Sequence, residues 1–102
     1  ILSTIYIDLN NGVSLQKLQK NLIDQYFKSR FVKILKPNTL ISTNDVINTN
    51  NCYISICKTK YKNRVIILSA IDNLIKGGAG QAIQNMNLKF NFPISKGLKW
   101  KK

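Results

Sequence analysis

Four apolar residues in succession, Val65-Ile66-Ile67-Leu68, constrain this chain more than any other feature. Extended, such a run places bulky side chains on both faces, so it belongs to a central strand covered above and below. The strand spans Arg64 to Ile71 and is preceded by a second apolar stretch, Cys52 to Lys58. A short Lys-rich turn joins the two, which together read as an antiparallel hairpin. Downstream, Gly77-Gly78-Ala79-Gly80 interrupts the apolar pattern, and Gln81 to Phe90 resumes it at helical spacing. Ala82, Ile83, Met86 and Phe90 fall on one side of that helix.

The first half supplies partners for this hairpin. Ile1 to Leu9 alternates Ile5, Ile7 and Leu9 against Leu2 and Tyr6, predicting a strand covered on both sides. Asn10-Asn11-Gly12 ends it as a turn. Ser14 can cap a helix with an apolar stripe of Leu15, Leu18, Leu22, Ile23, Tyr26 and Phe27. Phe31 to Leu35 reads as a short strand closed by Pro37-Asn38, and Thr39 to Asn51 as a polar loop. The order β-α-β-loop-β-β-α gives an α+β fold, with a mixed, largely antiparallel sheet and helices on one face. The 102 residues allow one domain, read as residues 1–92 followed by a basic tail, 93–102.

Composition narrows the chemistry. There is no His, so the commonest general base and metal ligand is missing. Asp8, Asp24, Asp45 and Asp72 are the only acidic residues and form no pair at helical spacing, so no metal site is expected. Cys52 and Cys57 lie five positions apart in one strand, on opposite faces and about 16 Å apart at ~3.3 Å per residue. A disulfide needs Cα atoms within ~7 Å, so these read as two free thiols of a reducing cytoplasm. No apolar run approaches the ~18 residues of a membrane helix.

The net charge of +12 is the usual footprint of nucleic-acid binding. The cations are scattered, however, and only Arg30 and Arg64 are Arg. Arg is the residue suited to bidentate phosphate and base recognition. Lys, Asn and Ile rise together, which fits AT-biased coding better than a basic groove.

Locally, the segment from Ser69 to Asn87 carries the most chemistry. Gly77, Gly78 and Gly80 permit positive φ and close approach of another group. Free N–H groups at the start of the following helix favour an anion or an amide oxygen. The Asn73 side chain complements a primary carboxamide, and Lys76 can hold a phosphate as a point charge. On local features alone, close packing for the glycines and a turn cap for Asn73 are the favoured reading, because Gly-rich turns are common.

The same segment, Ser69-Ala70-Ile71-Asp72-Asn73-Leu74-Ile75-Lys76-Gly77-Gly78-Ala79-Gly80-Gln81-Ala82-Ile83-Gln84-Asn85-Met86-Asn87, resembles the C-terminal signature of the N-acetyl-gamma-glutamyl-phosphate reductases. Their pattern runs S-A-I-D-N-L-x-K-G-A-x-G-Q-A-x-Q-N-M-N, and Gly78 replaces the usual Ala. Ile1 to Tyr6 resembles the strand after that family's central loop, and Phe31 to Leu35 its F-V-R-V-L strand. Thr43, Val46, Thr49-Asn50 and Cys52 follow its T-K-x-V-x-G-x-N-x-C segment, with Asn48 in place of Gly. The resemblance extends to about Phe92.

That resemblance implies the C-terminal part of a two-domain, NADPH-dependent oxidoreductase of arginine biosynthesis. Such an enzyme reduces N-acetylglutamyl 5-phosphate to the semialdehyde, with release of phosphate through a Cys thioester. The family's catalytic Cys and His match positions outside this chain, so none of its residues is expected to be catalytic. By the motif, Asn73 holds the nicotinamide carboxamide, and Gly77 and Gly78 let the backbone approach the cofactor. Asp72 and Lys76 fix the turn or contact the other domain. The implied partners are the N-terminal NADP-binding domain and a second subunit packed on the sheet, with poor solubility expected for the chain alone. The alternative is a small RNA-binding module, because Ile75 to Ile83 also resembles the GxxG loop of KH domains.

Overall fold

In a computed structural model, residues 1–100 are described; Lys101 and Lys102, the end of the predicted basic tail, lie outside them. Four strands form one sheet: β1 (Leu2–Asp8), β2 (Val32–Ile34), β3 (Cys52–Lys58) and β4 (Arg64–Ile71). Their order is β1-β4-β3-β2. The β1–β4 and β3–β4 pairs are antiparallel and β2–β3 is parallel, giving the predicted mixed α+β sheet. The apolar run of β4 is central, as its two-faced pattern requires.

Helix α1 (Leu15–Tyr26) begins at Ser14, whose Oγ accepts from the Lys17 amide at 3.1 Å. It lies against β2 and β3, with Gln19 Nε2 donating to Leu35 O at 2.9 Å. Leu15, Leu18, Leu22 and Tyr26 are half-buried, whereas Ile23 and Phe27 of the predicted stripe are exposed.

Register divides the core in two. Ile56 pairs with Ile67 and Lys58 with Val65, so Ile56, Ile67 and Val65 share one face; Tyr53, Leu68 and Ala70 share the other. On this second face the Thr39–Asn51 segment folds across the sheet, and Ile41 and Val46 pack with Ala70, Leu35, Tyr53 and Leu68. What reads in sequence as a polar loop therefore supplies one of the two apolar layers. A single 3₁₀ turn, Thr43–Asp45, interrupts it, held by the Ser42 amide donating to Asp45 Oδ2 at 2.8 Å.

Strand β1 departs from expectation. Its apolar residues predict cover on both sides, yet Leu2, Ile5 and Tyr6 are exposed, Tyr6 at 67%. The reason is position: β1 is an edge strand, paired with β4 on one side only.

After β4 the chain enters a wide helical turn, Ile75–Ala79, and then α2 (Gly80–Lys89). The inward face of α2 is not the predicted apolar one. Met86 and Phe90 are exposed, while Gly80 and Asn87 are buried and Ile83 and Gln84 half-buried. Asn87 Nδ2 donates to Ile94 O and to Lys96 O, each at 3.0 Å. The segment after Phe92 is thereby fastened to α2, and Lys99 O accepts from the Asn50 amide at 2.8 Å.

Candidate functional site

The strand-to-helix junction after β4 gathers the residues singled out by the sequence. Asp72, the first residue past the strand, anchors it. Its Oδ2 accepts from the Asn48 amide at 2.8 Å, and its Oδ1 from the amides of Leu74 and Ile75 at 2.9 and 3.3 Å. These amides hold the carboxyl below the ordinary carboxylate range, Asn48 contributing most. One side chain thus caps the turn and ties it to the Thr39–Asn51 segment.

The tie depends on the backbone of Asn48, which adopts φ +61°. This left-handed region favours Gly and tolerates Asn. It is the position where the reductase pattern carries Gly, the residue that this conformation most favours.

Past Asp72 the hydrogen bonding widens. The amides of Gly77, Ala79 and Gly80 donate to the carbonyls of Asp72, Leu74 and Ile75, each five residues back. A five-residue ladder makes a broader turn than an α-helix and is common at functional sites. It also uses N–H groups that the sequence suggests are free for an anion. None of Gly77, Gly78 and Gly80 has positive φ, a correction to the expected use of these glycines; Gly12 and Gly97 do. Gly78 instead takes φ −151°, ψ −112°, breaking the helical path in mid-turn.

Asn73, Gly77 and Gly78 come together on the surface, all three exposed. A Cβ at Gly77 would lie 3.2 Å from Asn73 Oδ1, and one at Gly78 3.4 Å from Asn73 O. Among the described residues the Asn73 side chain has no hydrogen-bond partner. It lines an open cleft of about 370 Å³ with Ile1, Ile47, Ile71, Leu74 and Thr43 among its walls. Leu74 is 78% exposed beside it.

Lys76 points the other way. Its Nζ donates to Gln84 Oε1 at 2.8 Å and stands 5.3 Å from the centre of the Phe31 ring. Burial pushes its ammonium below the ordinary lysine range. The same Gln84 Oε1 accepts from Asn50 Nδ2 at 2.9 Å. Asn50 is fully buried, and its Oδ1 faces Gly80 so closely that a Cβ there would collide with it. Sequence reasoning misses Asn50 and Gln84 as structural residues because it seeks apolar groups on an inward face. Their signal is the spacing Gly80, Gln84, Asn87 along one side of α2.

The two thiols sit apart. Cys52 Sγ lies 3.5 Å from Ser69 Oγ, and Cys57 Sγ 3.9 Å from Thr39 O, both half-buried and free. Among the described residues no three His, Cys, Asp or Glu side chains converge, and no helix is long and apolar enough to cross a membrane. The Gly77–Gly80 stretch, likened to a KH loop, has Gly80 buried on Asn50 and so does not form an open loop for a nucleic-acid backbone.

A family defined as the semialdehyde dehydrogenase dimerisation domain matches residues 1–73, from β1 through Asn73. The chain belongs to that family. It is also 44% identical, over 97% of its length, to the N-acetyl-gamma-glutamyl-phosphate reductase of Halothermothrix orenii. Identity is 45% over 96% of the chain to that of Vesicomyosocius okutanii, and 39% over 97% to that of Staphylococcus aureus. The chain spans only 28%, 27% and 29% of these relatives.

Proposed function

We propose that this chain is the C-terminal part of an NADPH-dependent N-acetyl-gamma-glutamyl-phosphate reductase. The whole enzyme converts N-acetylglutamyl 5-phosphate to the 5-semialdehyde and phosphate, in the cytoplasm, as a step of arginine biosynthesis. The likeness to reductases over nearly the whole chain supports that reading. Catalytic Cys and His come from the rest of the enzyme.

In this reading, bound NADPH supplies hydride, and this chain orients the nicotinamide. The observation that carries the role is the exposed Asn73 amide, unpartnered among the described residues and set beside two residues without side chains. A primary amide offers two donors and an acceptor, the complement of a nicotinamide carboxamide. Ile1, Ile47, Ile71 and Leu74 give the cleft apolar walls suited to a flat ring. Gly77 and Gly78 act by leaving space, since the Gly77 amide is already used within the turn. The rest of the sheet, with β1 at its edge, forms the subunit interface of a homo-oligomer.

In the full-length enzyme, Asn73→Ala lowers kcat/KM for NADPH tens-fold, corresponding to one or two lost hydrogen bonds at ~1–2 kcal/mol. Steady-state kinetics with NADPH varied at saturating acyl phosphate measure this. Unchanged NADPH kinetics would remove Asn73 from the cofactor site.

A further inference from the structure

The turn that presents Asn73 has a weak point. From Gly77 to Ala79 the side chains are absent or a single methyl, and Gly78 breaks the helical path between them. Nothing in that stretch can grip the fold by packing. On one side of the gap Asp72 holds the turn to Asn48; on the other, Gly80 is seated on buried Asn50. A side-chain hydrogen bond crosses the gap, from Lys76 before it to Gln84 after it, at 2.8 Å.

We infer that Lys76 is a positioning residue, a strut that spans the glycine gap to Gln84 and keeps the Asn73 turn in its cofactor-facing shape. This deepens the proposed reductase function and rests on it.

The geometry assigns each partner a part. Gln84 Oε1 accepts two donors, Lys76 Nζ and Asn50 Nδ2, so the strut ends on a residue itself held by the buried Asn50. The Phe31 ring lies 5.3 Å from Nζ and supplies a second, electrostatic contact for the ammonium. Nζ is therefore directed to Gln84 and Phe31, away from the surface on which Asn73, Gly77 and Gly78 lie exposed. A lysine that holds a phosphate as a point charge needs its ammonium free for it, whereas this Nζ is engaged by Gln84 Oε1 and the Phe31 ring. Charge-assisted hydrogen bonds are about twice as strong as neutral ones, which suits a side-chain link that reinforces the backbone bonds of a stretch without side chains to pack.

The test uses Lys76→Met, Gln84→Leu, their double variant and Lys76→Arg in the full-length enzyme, with Asn73→Ala alongside. Each single loss variant lowers kcat/KM for NADPH about tenfold, the effect of one charge-assisted hydrogen bond. KM for the acyl phosphate stays within about twofold. The double variant is no worse than Gln84→Leu alone, because Gln84→Leu already removes the Lys76 link together with the Asn50 bond. Lys76→Arg, which can still donate to Gln84, recovers most of the loss. A phosphate-holding lysine predicts the opposite pattern: raised KM for the phosphorylated substrate in Lys76→Met and no effect in Gln84→Leu.

Hydrogen–deuterium exchange separates the strut from the cofactor reading. Lys76→Met speeds exchange of the amides of residues 77–80 about tenfold with the rest of the chain unaffected, and Gln84→Leu does so there too, with added change only around Asn50, which loses its Gln84 acceptor. Unchanged exchange there overturns the strut, whatever the kinetics. Faster exchange together with normal NADPH kinetics in Asn73→Ala preserves the strut and refutes the cofactor role of the turn. An additive double variant overturns the single-link arrangement.

Discussion

At the scale of single residues, Gly80 is the least replaceable position of the glycine cluster. A Cβ there would lie 2.6 Å from Ile75 O and collide with Asn50 Oδ1. Both neighbours are confined: Ile75 O accepts the Gly80 amide, and Asn50 is fully buried. Gly80→Ala is expected to destabilise by about 1–3 kcal/mol, the range for overpacking. Gly77→Ala meets its nearest atoms at 3.2 Å or beyond, one of them on the exposed Asn73 side chain, and should cost less. Denaturant midpoints of the two variants decide the order, and a Gly80→Ala protein as stable as Gly77→Ala would contradict the seating on Asn50. Sequence marks the glycines as a group because all three can permit close approach. It does not mark which one is used that way, since the crowding atoms come from Asn50, 30 positions upstream. Asn48 is different. Its left-handed φ is anticipated by the Gly it replaces in the reductase pattern, because few other residues accept that conformation.

At the scale of elements, β3 and β4 run over the residues that alternation and apolar runs indicate, Cys52–Lys58 and Arg64–Ile71. Two-residue periodicity is strong where both neighbours are strands. The wide turn is not legible. Ile75–Ala79 looks like a glycine loop, since five-residue hydrogen bonding leaves no side-chain period to read. Nor does polar composition reveal that Ile41 and Val46 anchor the Thr39–Asn51 segment to the sheet. Asp72 couples these two elements, and its effect has a pH signature. Its folded-state pKa is depressed by the amides of Asn48, Leu74 and Ile75. The carboxylate therefore adds stability that is fully present above the unfolded Asp value of about 3.9 and lost as pH falls through the folded value. Thermal midpoints of the native protein and Asp72→Asn should differ at neutral pH and converge as pH drops below about 3.9. A difference independent of pH would mean that the carboxylate charge contributes nothing to the link.

At the scale of the whole molecule, the chain is a thin slab, 44 × 25 × 19 Å. Its sheet is covered by α1 over β2 and β3 on one face and by the Thr39–Asn51 segment on the other. On the edge strand β1, Leu2, Ile5 and Tyr6 stay exposed. The two-faced apolar pattern of β1 predicts cover correctly only if that cover comes from another chain or another domain, as membership of a dimerisation-domain family suggests. An uncovered apolar edge strand favours association through its open backbone groups and through both faces. Ile5 lies opposite Ile67 on one face and Tyr6 opposite Ile66 on the other, so a charge at either tests one face separately. Ile5→Lys or Tyr6→Lys should shift the full-length enzyme toward monomer in sedimentation velocity. The stability of the 102-residue chain alone should change by no more than about 0.5 kcal/mol, since both side chains are exposed in it. If Ile5→Lys disrupts assembly and Tyr6→Lys does not, the partner covers the face shared with Ile67. If both disrupt it, the edge itself is the seam. An assembly indifferent to both substitutions places the subunit interface away from β1, and the apolar residues of this strand would then face the other domain of the same subunit.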